Sequence, residues 1–168
     1  MLLRVSAALM ITGAGALIGV KQAEKLRNAR EVSRQTSELM RRSCGLLRCQ
    51  ALNVYQLAGA LKCSETLDKL SFLSDVPTVY RQGSDFHSHW REAVSGQDCL
   101  MDEERGLLLR FGEILGTTDI EGQVSAISAL LSEADVLTLR RSEEYAHRGR
   151  LCRSIWTLFG LMAGILVI

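Results

Sequence analysis

Proline is almost missing from this chain: Pro77 stands alone in 168 residues. Aromatic side chains are scarce too, with two Trp, three Tyr and four Phe. β-Sandwiches and barrels need frequent turns and aromatic or β-branched runs, so these scarcities argue for an all-α fold. The five cysteines are Cys44, Cys49, Cys63, Cys99 and Cys152. Their number is odd and no Cys-x-x-Cys pair occurs, so neither a zinc site nor a disulfide framework is signalled. Scattered free thiols fit a reducing compartment. Acidic residues are missing from both ends: all 19 lie between Glu24 and Glu144. Of the 20 Lys and Arg, only Arg4 precedes Lys21. A uniform globular domain spreads its apolar residues periodically, whereas here the two ends are apolar and the middle is polar. The length suits one domain, and a net charge of +1 implies no particular partner.

The apolar ends read as membrane spans. Residues 5–20 carry no charge, and with Arg4 snorkelling the run 2–20 is about long enough to cross the bilayer as a helix. A secretory signal peptide competes, since Ala14-Gly15-Ala16 resembles a cleavage site. Lys21, Lys25, Arg27 and Arg30 follow the run, and the positive-inside rule holds that flank in the cytoplasm, which favours an uncleaved anchor. The second run, 154–168, is short and reaches spanning length only with 151–153 and slight bilayer thinning. Its flank holds Arg140, Arg141, Arg148, Arg150 and Arg153. The expected organisation is a transmembrane helix over 2–20, a cytoplasmic helical domain over 21–150 and a second transmembrane helix over 151–168, with both termini outside the cytoplasm. Gly15/Gly19 and Gly160/Gly164 each form Gly-x-x-x-Gly, a spacing that lets another helix backbone approach and leaves room for a homo-oligomer.

The middle reads as an antiparallel helical bundle between the two membrane helices. Residues 21–42 have few breakers and extend the first helix. Leu46, Leu47, Val54, Leu57, Ala58 and Leu61 follow roughly one helical face. Ser64 is placed to cap a helix carrying Leu67 and Leu70. Phe86, Trp90 and Val94 form a stripe four apart, and Asp102, Glu103 and Glu104 open a helix whose face holds Leu107, Leu108, Phe111, Ile114 and Leu115. Gly116 suits a helix C-terminus, where positive φ is wanted. Thr118 with Glu121 three later predicts a capping box opening the next helix, which carries Val124, Ile127, Leu130, Leu131, Ala134 and Leu137. Segment 115–119 is thus a tight corner, with Gly112 and Gly116 offering a smooth face and Asp119 favoured by the helix dipole.

Chemistry-bearing motifs are wanting. His87 and His89 lie two apart, on different helix faces, whereas a shared metal needs i, i+4 spacing. No phosphate loop and no Gly-x-Ser-x-Gly elbow occur. The basic stretch 21–48 has no interleaved aromatics, so nucleic-acid binding is not expected. No enzymatic activity and no cofactor are expected.

The pattern Phe111-Gly112-x-x-Leu115-Gly116-x-x-Asp119-x-x-x-Gln123 resembles the stage III sporulation protein AB family. The likeness extends to the layout of apolar helix, helical middle and terminal apolar helix, although 145–153 is less Lys-rich than the family pattern. It implies a non-enzymatic membrane scaffold of the envelope-spanning assembly between mother cell and forespore. It further implies a domain similar to the type II secretion F platform protein. The implied partners are the stage III sporulation AA ATPase, other stage III sporulation envelope proteins and the membrane lipid bilayer. A membrane-anchored sensor or regulator is the competing reading.

Overall fold

In the computed structural model the backbone is described for residues 2–83 and 85–167, and side chains for 21, 24–83 and 85–147. Among these residues the chain is all-α. Five α-helices follow in order: α1 (Leu2–Gln50), α2 (Val54–Lys62), α3 (Phe86–Ser95), α4 (Asp102–Ile114) and α5 (Ile120–Val167). Two short 3-10 turns, Glu65–Leu67 and Ser71–Ser74, lie between α2 and α3. The chain divides into two compact units: a terminal unit of 1–30 with 140–168, and a central unit of 31–139.

Within the central unit, α1 and α5 pack antiparallel along a seam of small polar side chains. Ser33 and Ser37 share the Thr138 hydroxyl at 3.2 and 3.1 Å. Further along, Arg41 pairs with Asp135 at 3.2 Å, and the Cys44 thiol meets the Val124 carbonyl at 3.9 Å. Increasing numbers on one helix meet decreasing numbers on the other. Several of the small side chains return their hydroxyls to their own helix: Thr36 to Val32, Ser43 to Leu39, Ser128 to Val124 and Thr138 to Ala134. Such back-bonding satisfies a buried hydroxyl without a partner helix.

The expected face running from Leu46 to Leu61 is interrupted. α1 stops at Gln50, Ala51 takes a left-handed φ of 49°, and α2 starts afresh behind Asn53. Asn53 and Gln56 form a reciprocal capping box: the Asn53 side chain accepts from the Gln56 N–H at 2.9 Å, and the Gln56 side chain accepts from the Asn53 N–H at 3.1 Å. Ser64 precedes only a 3-10 turn and makes no side-chain cap. Its hydroxyl is instead engaged by Arg42 and Thr66. The 3-10 connector is fastened to α1 by buried Gln35, whose amide donates to Asp68 while its carbonyl accepts from the Lys69 N–H at 2.8 Å.

The core of the central unit collects the expected stripes. Phe86, Trp90 and Val94 from α3, Leu107, Leu108 and Phe111 from α4, and Val124, Ile127, Leu130, Ala134 and Leu137 from α5 are all buried. In the terminal unit, Ala29 is buried, and the Arg30 guanidinium lies 5.7 Å from the Tyr145 ring centroid. Among the described residues, no helix is long and apolar enough to cross a membrane. The two apolar runs, with Gly15, Gly19, Gly160 and Gly164, lie outside the residues whose side chains are described.

α3 depends on its cap. The Asp85 carboxylate accepts from the His87 and Ser88 N–H groups, both at 3.2 Å, and from the Ser88 hydroxyl. The Ser88 hydroxyl bond, helped by the two amides, lowers the Asp85 pKa below its ordinary value of 3.8. A lowered folded pKa means that the stabilisation is complete above the ordinary value and is lost as pH falls through the folded one. Asp85→Ala is therefore expected to lower the melting temperature of the full chain at neutral pH. The gap to the parent should narrow as the solution is acidified below the aspartate range, and a pH series of thermal melts checks both.

Candidate functional site: the α4–α5 corner

The motif residues come together as one corner. Phe111 is fully buried, and Leu115 and Gln123 are 1% and 7% exposed. Gly112 is also buried, whereas Gly116 and Asp119 face solvent. α4 ends at Ile114, and Gly116 takes the expected left-handed conformation with φ of 75°. A Cβ at Gly116 would also stand 3.0 Å from Val54 Cγ1, so backbone conformation and space both call for glycine.

Gln123 closes the corner. Its side-chain carbonyl accepts from the Gly116 N–H at 3.0 Å, and its amide donates to the Thr118 carbonyl at 2.6 Å. The expected Thr118–Glu121 capping box does not form this corner. The first helical acceptor is the Asp119 carbonyl, which takes the Gln123 N–H at 2.9 Å, and the Thr118 hydroxyl turns to that same carbonyl. Asp119 is thus the residue at the helix boundary, one position before Ile120. Gln123 fastens the loop through different backbone groups, the Gly116 N–H and the Thr118 carbonyl.

The released carbonyls at the end of α4 are also taken up. Gly112 O accepts from His87 Nδ1 at 3.0 Å, and Ile114 O accepts from the Thr117 N–H and hydroxyl at 3.3 and 2.9 Å. A helix end leaves its last carbonyls without helical partners, and these contacts take up two of them. His89 Nδ1 donates to the Asp85 carbonyl at 2.7 Å. The two histidines therefore serve different carbonyls. Among the described residues, no group of three His, Cys, Asp or Glu side chains is placed to hold a metal ion.

Gly112 of α4 lies directly against Trp90 of α3. A Cβ built there would stand 2.5 Å from Trp90 Nε1 and 2.8 Å from Cγ. The indole cannot move aside easily, because Nε1 donates to the Leu108 carbonyl at 2.8 Å and the ring packs on Phe72, Phe86 and Phe111. Gly112 stands out in the sequence, but the ring that covers it does not. Gln35 and Glu104, each 1% exposed, are unexpectedly buried, because a polar residue on a helix carries no mark of burial.

The fold and the corner together define a class: an all-α protein whose distinguishing motif is a tied helix–turn–helix corner. A family model for stage III sporulation protein AB matches residues 4–168. The chain belongs to the stage III sporulation protein AB family. No curated protein and no solved structure matches it.

Two glycines of α4 separate packing from propensity. Gly106 has open space around a would-be Cβ, whereas Gly112 meets Trp90. Gly112→Ala is expected to destabilise the chain by about 1–3 kcal/mol through overpacking. Gly106→Ala is expected to stabilise it by about 0.5–1 kcal/mol, the helix cost of glycine. Denaturant unfolding of the two variants checks the opposite signs.

Proposed function

We propose that this chain is a non-enzymatic membrane scaffold of the stage III sporulation envelope-spanning complex between mother cell and forespore. The observation that carries the reading is the family match, which runs from residue 4 to residue 168 and so includes both apolar ends. In this reading the runs 2–20 and 151–168 are transmembrane helices in the mother-cell membrane around the forespore. The central helices lie in the cytoplasm and both termini lie outside it. The basic residues on the inner side of each run support that orientation.

The scaffold docks a secretion-type ATPase, the stage III sporulation AA ATPase, in the manner of a type II secretion F platform protein. The corner motif serves this role chiefly through architecture. Phe111, Gly112, Leu115 and Gln123 are occupied inside the central unit, which leaves Gly116 and Asp119 as the motif positions open to a partner.

Affinity capture of the full chain from sporulating cells tests the proposal. Co-purification of a secretion-type ATPase with other stage III envelope proteins is the expected result. Capture of a kinase or a transcription factor without them would instead favour a membrane-bound regulator. Asp119→Asn, an exposed change, should leave this capture intact.

A further inference from the structure

The boundary between the two compact units is also a boundary of charge. The terminal unit, 1–30 with 140–168, holds ten basic and three acidic residues, a net of +7. The central unit, 31–139, holds ten basic and sixteen acidic residues, a net of −6. A chain of net charge +1 is therefore divided into two strongly opposed parts.

Some cations in each unit are paired, Arg141 with Glu144 at 3.5 Å among those of the terminal unit. In the central unit Arg34, Arg41, Arg42, Lys69, Arg91, Arg105 and Arg110 all pair with carboxylates of the same unit. In the terminal unit Lys21, Lys25 and Arg27 are exposed, and among the described residues none of them makes an ion pair. Among the described residues no carboxylate meets their charge. That charge also adjoins the apolar run 2–20 in the chain, and Arg148, Arg150 and Arg153 adjoin the second run.

We propose that the basic collar of the terminal unit binds the anionic headgroups of a phospholipid bilayer, so that membrane association depends on acidic lipid as well as on the apolar runs. The inference rests on the membrane reading above. A surface of anionic lipid attracts juxtamembrane Lys and Arg within about a Debye length. The apolar runs flanking the collar favour a bilayer over a nucleic acid, which supplies phosphate but no hydrocarbon phase. The acidic central unit has the wrong sign for the same surface.

Flotation of the full chain tests this. The protein is diluted from detergent onto vesicles of phosphatidylcholine alone, or of phosphatidylcholine with an equal part of phosphatidylglycerol. Stronger association with the anionic vesicles, falling in high salt to the level on neutral ones, is expected. The variant K21Q/K25Q/R27Q should bind anionic vesicles roughly tenfold or more weakly. R81Q, an exposed change in the central unit, should behave as the parent. Equal flotation on both vesicles, insensitive to salt and to the triple substitution, would overturn the collar and leave the anchor standing. No flotation on either would overturn the membrane reading and the collar with it. Loss of DNA retention in the triple variant with unchanged flotation would assign the collar to nucleic acid instead.

Discussion

The indole of Trp90 is the piece against which the rest of the central unit is fitted. It stacks edge-on to Phe72 from the 3-10 connector at 5.2 Å and lies against Phe111 from α4 at 5.5 Å. Its Nε1–H is committed to the Leu108 carbonyl, so the ring has one orientation, not several. Gly112 follows from that orientation, since α4 must pass where a methyl group would enter the ring. The corner follows in turn, because the course of α4 at Gly112, two residues before its end at Ile114, fixes where Gly116 turns and where Gln123 reaches back.

The α1–α5 seam works by a different principle. Its polar contacts are hydroxyls and a thiol, and an ion pair across it, Arg41 with Asp135, is exposed. Exposed ion pairs contribute little stability. The apolar core, to which all five helices contribute, supplies the main burial. Gln35 and Gln123 act alike in this arrangement: each is a buried amide that serves a connector's backbone, one at 69, the other at 116 and 118.

Much of the core was legible from spacing alone. The Phe86-Trp90-Val94 stripe and the apolar faces of α4 and α5 follow helical periodicity, and periodicity is what burial selects. The turn at Gly116 was legible because positive φ favours one residue type. The break at 51–53 was written in Asn53 and Gln56, a capping box three apart, but the apolar residues on either side mask it by continuing roughly one period. Ser64 misled because a capping residue type does not show where its hydroxyl goes, and here it is taken by Arg42 and Thr66. The corner's own fastening was not legible, because a glutamine that folds back on a loop and a glutamine that faces water have the same neighbours in sequence. The apolar ends carry their message in composition, and the collar in the distribution of charge between the two units.

The central claim is that the Gly112 position is set by contact with Trp90. A double-mutant cycle on the full chain tests it most directly, combining Gly112→Ala with Trp90→Leu. Residues in contact couple by about 0.5–3 kcal/mol, whereas independent sites add to within about 0.5 kcal/mol. If the ring is the obstacle, Gly112→Ala should cost far less once Trp90 is replaced, with a coupling above 1 kcal/mol on that scale. Equal costs of Gly112→Ala in both backgrounds would contradict the account.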